Sequence, residues 1–259
     1  MDILEELSAL RRADAEEAAK TVPYEALVKR IETMPAPHDF CAAFAGPGIH
    51  IISGLKKASP SEGLIRAKFD PVAIARAYAA NGAAAMSVLC EPHKFLGGEA
   101  YLRAVRATVD TPIIYKDFLT TDYQIAAARA AGADACLLIA AVLDDVQLSH
   151  LLTLAHSFAL TALVETHTEE EIKRAVGLGA RLIGVNCRDL RTFKTDPALT
   201  AELIAKIPAD VTRIGESGIK THDDILKVKA AGADGFLIGT TLMRAEDPGL
   251  KLRQLMGLA

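Results

Sequence analysis

The chain has 259 residues, 51% of them hydrophobic, so it can bury a sizeable core, and its length is typical of one α/β barrel domain. Its 29 Lys and Arg residues against 33 Asp and Glu residues give a net charge of −4. The basic residues form no continuous stripe, which argues against nucleic acid as a partner. The four cysteines lie far apart, so no pair has the close spacing of a zinc or redox motif.

The first 48 residues predict an N-terminal helical appendage to a single domain that spans residues 1–259. Two sets of apolar residues recur there at helical spacing: Leu4, Leu7 and Leu10, then Tyr24, Leu27, Val28 and Ile31. The N-terminus is charged from its second residue, and no later stretch holds about 18 consecutive apolar residues. We therefore expect a cytoplasmic protein with no membrane partner, present as a monomer or a weak homodimer.

From residue 49 onward, short apolar runs rich in β-branched residues alternate with longer segments of helical period, which indicates repeated βα units. The runs occupy residues 49–55, 84–89, 112–116, 135–141, 161–165, 181–186, 212–216 and 235–240. This is the number of strands that closes a (β/α)8 TIM barrel, the α/β fold class that we predict.

Four of these runs follow a Gly-Ala step, at Gly82, Gly132, Gly179 and Gly232. A glycine there can take the left-handed conformation that ends a helix at little cost. An open doubly wound sheet is the alternative fold, but it usually begins with a G-x-G-x-x-G turn after its first strand, and this chain has none. The pattern therefore favours the barrel.

Barrel enzymes place their reactive groups at the C-terminal ends of the strands, so polar residues at those ends are the candidates. In chain order they are Lys56, Lys57, Ser59, Ser61, Lys116, Asp117, Glu165, Asn186, Arg188, Glu216, Ser217, Gly239, Thr240 and Thr241.

Lys116 and Glu165 stand out because each ends an apolar strand. A solvated surface lysine is the simple alternative for Lys116. However, desolvation and a nearby carboxylate could tune it as a general acid. A carboxylate at Glu165 is a poor structural choice unless a cation faces it. We expect the two to form an acid–base pair.

The segments GESGI and FLIGTT, at the last two strands, predict a phosphate site. Many barrels bind a substrate phosphate there through backbone N–H groups and a short helix N-terminus. Gly218 and Gly239 would allow close backbone approach, and ordinary tight turns are the alternative. The expected substrate is a small phosphate ester.

Neither metal nor cysteine chemistry is predicted. No two of His50, His93 and His167 have the spacing of a helical ligand pair, and no carboxylate completes a set. Cys90 and Cys187 follow strand ends, but small buried cysteines are commoner than nucleophiles, so they receive no role.

The strand-end segments, taken in order, resemble indole-3-glycerol phosphate synthase. They are KKASPSEG, SVLCEPHKFLGG, YKDF, GADACLLIA, LVETH, IGVNCRDL, GESGI and LIGTTLM. The resemblance runs from residue 49 to residue 245, and the N-terminal helical segment is also similar. It implies a carboxy-lyase of tryptophan biosynthesis that needs no cofactor. Its substrate would be 1-(2-carboxyphenylamino)-1-deoxyribulose 5-phosphate, whose ring closes with loss of carbon dioxide and water.

The resemblance also implies roles for individual residues. Lys116 matches the general acid that protonates the ketone-derived oxygen, and Glu165 matches a glutamate that assists proton transfer and stabilises the cationic intermediate. Lys56 matches a lysine that contacts the substrate near its carboxylate or phosphate, and Asn186 matches an asparagine that positions it. The other matches are pocket residues Ser59, Arg188, Glu216 and Ser217, apolar walls Pro60, Phe95, Phe118, Leu137 and Leu190, and phosphate ligands Lys56, Ser217, Gly218, Gly239 and Thr240.

One departure from the family pattern concerns the residue two positions before Lys56. Family members usually carry a glutamate there, in a pattern like A-E-x-K-K-A-S-P-S, whereas this chain has Gly54. That glutamate is a candidate base for the final proton, and lost general-base catalysis typically costs on the order of 10²–10⁴ in rate. Three alternatives follow: an engineered or evolved variant, a homologue with Glu165 or Glu216 as the base, or a non-catalytic barrel that binds a related phosphorylated ligand.

Overall fold

The computed structural model describes residues 3–186 and 197–259, and its centre is a closed barrel of parallel strands. The strands are β1 (Ile51–Leu55), β2 (Ala85–Leu89), β3 (Ile113–Lys116), β4 (Ala135–Ile139), β5 (Thr161–Thr166), β6 (Leu182–Val185), β7 (Thr212–Gly215) and β8 (Gly235–Ile238). Each strand pairs with the next one along the chain, and β8 pairs with β1 to close the circle. The predicted (β/α)8 barrel is confirmed.

Helices separate the strands along the chain. The helices are α1 (Ile3–Thr21), α2 (Tyr24–Glu32), α3 (Pro71–Ala80), α4 (Glu99–Arg106), α5 (Asp122–Ala130), α6 (Asp145–Ser157), α7 (Glu169–Gly177), α8 (Pro197–Ile204), α9 (His222–Ala230), α10 (Thr240–Arg244) and α11 (Pro248–Met256). Short 3-10 turns occupy Cys41–Phe44 and Ala140–Val142, and a small antiparallel hairpin pairs Ala58–Ser59 with Gly63–Leu64.

Local sequence signals start and stop these helices. Thr121, Asp144 and Thr221 each form a capping box at a helix N-terminus, which satisfies backbone N–H groups that the helix leaves without partners. The four predicted glycines adopt positive φ angles: +85° at Gly82, +99° at Gly132, +85° at Gly179 and +105° at Gly232. Each lies just after a helix, where a left-handed residue turns the chain into the next strand, as the Gly-Ala steps predicted.

The strands contribute to two cores because successive side chains point to opposite faces. In β1, Ile51 and Leu55 pack outward among the surrounding helices, whereas Ile52 packs inside the barrel. The inner-face residue at the end of each strand therefore points toward the barrel mouth, where the candidate site residues lie.

The N-terminal segment lies against the barrel mouth. Leu4 and Leu7 of α1 pack with the cluster that fills the barrel interior. Arg11 of the same helix donates to the buried carboxylate of Asp117 from Nε at 2.9 Å and from Nη2 at 2.7 Å. Helix α2 packs against α5 on the outer surface. Both predicted N-terminal helices are present.

The observed strands are shorter than most of the predicted runs. The run 135–141 ends as a strand at Ile139, because the 3-10 turn begins at Ala140. Likewise, the run 235–240 ends as a strand at Ile238, and Gly239 becomes the N-cap of α10. Within the described ranges, no helix is both long and apolar enough to cross a membrane.

Candidate active site

A cavity of about 730 Å³ opens at the C-terminal ends of the barrel strands. Nearly all predicted site residues in the described part of the chain line it: Lys56, Ser59, Pro60, Ser61, Phe95, Lys116, Asp117, Phe118, Leu137, Glu165, Asn186, Glu216, Ser217, Gly218, Gly239, Thr240 and Thr241. The exception is the strand-end candidate Lys57, which does not line the cavity. The predicted residues Arg188 and Leu190, and also Cys187, lie outside the described residues. The fold thus brings together groups contributed by widely separated strands.

Lys116 lies between two buried glutamates in this cavity. Its Nζ donates to Oε2 of Glu165 at 2.9 Å and lies 3.5 Å from Oε2 of Glu216. The two glutamates are only 4% and 2% exposed. A carboxylate is costly to bury unless a cation compensates it, so the shared ammonium group accounts for both positions. The expected acid–base pair is therefore a group of three.

The three groups shift one another's pKa values. Burial lowers the pKa of Lys116, but the two carboxylates outweigh burial and raise that pKa well above its ordinary value. Burial raises the pKa of Glu165, yet Lys116, His167 and Asn186 outweigh it and lower that pKa to about 2. Burial raises the pKa of Glu216 to about 7, and the charge of Glu165 adds to this shift while Lys116 opposes it. Near neutral pH, Glu165 is ionised and Glu216 is able to gain or lose a proton.

Glu216 occupies space that a neighbouring glycine leaves open. A Cβ atom at Gly184 would collide with Oε1 of Glu216. Among the described residues, that oxygen has no hydrogen-bond partner. An unsatisfied buried carboxylate oxygen is unfavourable for folding, and such groups are found where a ligand supplies the missing partner. The missing side chain at Gly184 therefore permits Glu216 to place one carboxylate oxygen where it has no partner among the described residues.

Glu165 has two further polar neighbours besides Lys116. Nδ2 of Asn186 donates to Oε1 of Glu165 at 3.0 Å, and Nε2 of His167 lies 3.5 Å from the same oxygen. These contacts hold the carboxylate in one orientation at the end of β5.

One end of the cavity has the composition of an anion site. Nζ of Lys56 donates to Oγ1 of Thr240 at 2.8 Å, where α10 begins. Ser217 and Gly218 form a tight turn with φ angles of +25° and +87°, and the second value suits glycine because it lacks a Cβ atom. A lysine, hydroxyl groups and exposed backbone N–H groups are the usual partners of a phosphate.

The opposite end of the cavity is apolar. The rings of Phe95 and Phe118 pack with centroids 6.2 Å apart and planes inclined at 44°. Leu137 from β4 and Leu4 and Leu7 from α1 extend this wall. Such a wall would suit an aromatic ring.

A buried carboxylate shapes the loop that carries Phe95. Glu91 accepts hydrogen bonds from the backbone N–H groups of His93 at 2.6 Å, Lys94 at 2.8 Å and Phe95 at 2.8 Å. Because three consecutive N–H groups converge on one side chain, the loop has a defined conformation and Phe95 a defined position.

Gly54 also lines the cavity, at a tight point between β1 and β8. A Cβ atom there would lie 2.8 Å from Cα of Gly239 and 3.3 Å from the carbonyl oxygen of Ile238. The two strands therefore approach more closely than a larger residue would allow without adjustment. On the neighbouring strand, the register partner of Gly54 is Ser87, whose buried Oγ has no hydrogen-bond partner within the described part of the chain.

Sequence reasoning missed the contribution of α1 to the cavity. Ile3, Leu4 and Leu7 all line it. Their helical spacing indicated a buried face, but spacing carries no information about which surface covers that face. Ser87 was also missed, since a single serine in an apolar strand has no local signal that distinguishes a cavity position from a core position.

The sequence model of the indole-3-glycerol phosphate synthase family matches residues 4–255. This chain belongs to that family. The indole-3-glycerol phosphate synthase of Micrococcus luteus is 45% identical over 258 residues, which cover 98% of this chain and 96% of the relative. The synthase of Lactiplantibacillus plantarum is 46% identical, with 93% of this chain and 94% of the relative covered. Membership makes the chain a carboxy-lyase of tryptophan biosynthesis, and the resemblance noted from the strand-end segments is confirmed.

Solved structures of low sequence identity support the fold. A 3-hexulose-6-phosphate synthase superposes with a TM-score of 0.65 at 17% identity, covering 81% of this chain and 99% of that one. A thiamine phosphate pyrophosphorylase from Pyrococcus furiosus gives a TM-score of 0.61 at 15% identity, covering 81% of this chain and 94% of that one. This chain therefore shares its fold with proteins of low sequence identity.

Proposed function

We propose that the cavity carries out the reaction for which the family is named, the conversion of 1-(2-carboxyphenylamino)-1-deoxyribulose 5-phosphate into indole-3-glycerol phosphate, carbon dioxide and water. One observation carries the proposal: Lys116, held by Glu165 and Glu216, lines the same cavity as a group of anion-binding residues and an apolar wall. The substrate has a phosphate at one end and an aromatic ring at the other, with the reacting carbonyl between them. Its shape and charge complement the cavity.

Each end of the substrate has a proposed partner. The phosphate would bind Lys56, Thr240 and the backbone around Ser217, Gly218 and Gly239. The ring would lie against a wall that comprises Pro60, Phe95, Phe118 and Leu137, with Ser59 as a further pocket residue. The family resemblance also assigns Leu190 to the ring and Arg188 to the substrate. This placement would bring the ketone carbon to the charged centre, where orientation contributes much of the rate.

The three central residues have different proposed tasks. Lys116 donates a proton to the ketone-derived oxygen as the ring carbon attacks. Solvent at the cavity mouth then reprotonates Lys116, which donates a second proton to the hydroxyl group that leaves as water. Glu165, whose pKa is about 2, stays ionised and stabilises the cationic intermediate, with Asn186 holding it in place. Glu216, whose pKa is raised to about 7, is better suited to accept the final proton, because a base works best when its pKa lies near the working pH.

The proposal also covers the compartment and the oligomeric state of the enzyme. We expect the enzyme to act in the cytoplasm, which agrees with four widely spaced cysteines. We also expect it to be a monomer or a weak homodimer. No cofactor enters the proposed steps, since each step is a proton transfer or a bond change within the substrate.

The test is an assay with purified protein and the carboxyphenylamino-deoxyribulose phosphate, in which indole absorbance reports the product. We expect turnover in the wild-type protein and a loss of at least about 10²-fold in kcat for Lys116→Met, because a general acid contributes that much. Lys173→Met, which changes an exposed lysine on α7, is the matched control and should leave kcat unchanged. Turnover that survives in Lys116→Met would contradict the role assigned to this lysine.

Because Gly54 stands where family members usually carry a glutamate, we expect this activity to be impaired. Gly54→Glu would return a carboxylate to the cavity, and we expect kcat to rise by up to about 10²-fold, the lower end of general-base effects. Crowding against Gly239 and Ile238 should lower the free energy of unfolding by about 1–3 kcal/mol. Gly54→Gln has the same shape without the charge, so it should lose the same stability and gain no rate.

Two outcomes would change this interpretation of Gly54. If Gly54→Glu folds but is no faster than Gly54→Gln, Glu216 is a sufficient base and the predicted impairment is wrong. If the wild-type protein binds the substrate in a calorimeter but releases no product at high enzyme concentration, the alternative of a non-catalytic phosphate-ligand barrel is correct.

A further inference from the structure

We infer that His167 is a positioning residue for Glu165, which keeps that carboxylate ionised and in place while Lys116 gives up its proton. The inference rests on the proposed function. The imidazole ring of His167 lies between two carboxylates: Nε2 is 3.5 Å from Oε1 of Glu165, and Nδ1 is 3.4 Å from Oε2 of Glu171. The His167 side chain is only 18% exposed, so the charges around it are poorly screened by water.

Glu171 holds His167 from the side away from the cavity. Its Oε2 accepts the backbone N–H of His167 at 2.7 Å, in addition to facing the ring. Glu171 is itself fixed at the start of α7, where its backbone N–H donates to the hydroxyl of the N-cap residue Thr168 at 3.2 Å. One anchored carboxylate therefore lies beside both the backbone and the ring. Within the described part of the chain neither ring nitrogen makes a hydrogen bond, so the ring faces Glu165 and Glu171 through charge alone.

Protonated His167 would be a second cation near Glu165, which compensates the carboxylate when Lys116 loses its charge during the proposed reaction. In the resting site, Glu165 is compensated by Lys116 at 2.9 Å and accepts a hydrogen bond from Asn186 at 3.0 Å. When Lys116 donates its proton it becomes neutral, and Asn186 carries no charge. A buried carboxylate with no cationic partner is strongly unfavourable and would take up a proton. A protonated His167 prevents this, so Glu165 remains able to stabilise the cationic intermediate.

The groups that face His167 favour its protonated form. Burial lowers the pKa of His167, but contact with Glu171 and the negative charges of Glu165 and Glu216 outweigh burial and raise that pKa above its ordinary value. Lys116, on β3, carries a positive charge and binds the other carboxylate oxygen of Glu165, Oε2. Among the described residues, three carboxylates against one ammonium group leave an excess of negative charge around the ring.

Among the residues that the structure describes, the other elements near His167 add little charge. The 3-10 turn Ala140–Val142 packs against β5 and α7 and contains no ionisable side chain. Arg174, one turn further along α7, pairs with Asp145 at 2.7 Å. The state of His167 therefore depends mainly on the carboxylates that flank it.

The requirement for protonated His167 predicts the direction in which activity changes with pH. A histidine with a raised pKa is charged at pH values below that pKa and loses its charge as the pH rises through it. Activity that depends on this charge should decline on the alkaline side of the kcat profile. The acid limb has a separate origin, because Glu216 must be ionised to accept a proton.

The first experiment compares kcat, KM and the pH profile of His167→Asn with those of the wild-type protein. We expect kcat to fall by about 10- to 100-fold, with KM little changed and the alkaline limb lost. The matched control is His150→Asn, which makes the same change at an exposed histidine paired with Asp122 on the outer surface and should leave all three unchanged. A wild-type kcat and an intact alkaline limb in His167→Asn would overturn the inference.

A second measurement does not require turnover. The ring carbons of ¹³C-labelled histidine can be titrated by NMR, with His167 assigned through His167→Asn. We expect a pKa above 6.5 for His167 in the wild-type protein, and a lower value in both Glu165→Gln and Glu171→Gln. An unchanged value in Glu165→Gln would overturn the coupling between the two residues. Absence of product from the wild-type protein would instead overturn the proposed function, and the titration would still decide whether His167 senses Glu165.

Discussion

At the scale of single residues, the raised pKa of Glu216 lowers the stability of the folded protein and also suits Glu216 to act as a base. Its pKa is raised to about 7 in the folded protein, against an ordinary value of 4.5. The folded state therefore disfavours the ionised form of Glu216, and its ionisation lowers the stability of the protein. This loss of stability is absent below the ordinary pKa, grows as the pH rises from the ordinary to the raised pKa, and is complete above the raised pKa. Glu216→Gln removes the group that must ionise. We therefore expect the variant to be more stable than the wild-type protein at pH 8, with a free energy of unfolding higher by about 1–3 kcal/mol.

The same substitution should remove the proposed base. We expect kcat of Glu216→Gln to fall by about 10²-fold or more, and the acid limb near pH 7 to disappear from the profile of kcat/KM. Urea unfolding at pH 5 and pH 8 measures the stability change, and Glu202→Gln, at an exposed position on α8, is the control. If Glu216→Gln is no more stable than the wild-type protein at pH 8 and retains the acid limb, then Glu216 neither destabilises the folded protein nor acts as the base.

Part of this residue-level chemistry could be predicted from the sequence. Lys116 and Glu165 end apolar strands, and an ionisable residue in that position is a local signal. The behaviour of Glu216 could not be predicted in the same way, because it depends on the missing side chain at Gly184 and on Lys116, which is 100 residues away in the chain. Burial and charge proximity are properties of the folded state, and a single sequence contains neither.

At the scale of structural elements, α1 depends on one buried ion pair for its position over the cavity. Arg11 bonds the carboxylate of Asp117, whose side chain has no exposure to solvent. Removing the arginine leaves a buried charge without a partner, so we expect Arg11→Met to lower the free energy of unfolding by about 3–5 kcal/mol. KM should also rise, because Leu4 and Leu7 would no longer be held against the apolar wall.

The control for this prediction is Arg12→Met, the neighbouring arginine on the same helix, which should change neither stability nor KM. A second arm adds Asp117→Asn to Arg11→Met. Since the double variant has no unpaired buried charge, it should recover part of the lost stability, which a double-mutant cycle measures. Equal stability of Arg11→Met and Arg12→Met would contradict the proposed anchoring of α1.

The elements themselves were largely predictable, whereas their placement was only partly so. Hydrophobic period and the Gly-Ala steps are local, and they located the strands, the helix ends and the helical nature of residues before 49. The strand ends shifted by one or two residues because capping and 3-10 turns, as at Ala140, compete with strand pairing for the same backbone groups. The docking of α1 depends on a contact between Arg11 and Asp117, which are 106 residues apart, and local patterns carry no such information.

At the scale of the whole molecule, the two ends of the barrel have different tasks. The cavity and its charged centre occupy the C-terminal ends of the strands, whereas a buried ionic network around Asp134 occupies the opposite end, just before β4. Its carboxylate accepts from Arg106 at 2.9 Å and from the backbone N–H groups of Ile113 at 2.7 Å and His38 at 2.8 Å. The network joins the segment after α2, the end of α4 and the start of β3, so it contributes to closing the barrel.

This separation predicts that stability can be lost without loss of chemistry. Asp134→Asn removes the charge that compensates the half-buried Arg106, and we expect the free energy of unfolding to fall by about 3–5 kcal/mol. Because the network lies at the far end of the barrel, kcat and KM of the folded fraction at low temperature should equal those of the wild-type protein. Asp110→Asn is the matched control, since Asp110 faces the same His38 at 3.3 Å but is fully exposed, and it should leave the unfolding midpoint unchanged. A fall in kcat that matched the fall in stability would mean that the two ends are coupled through the strands.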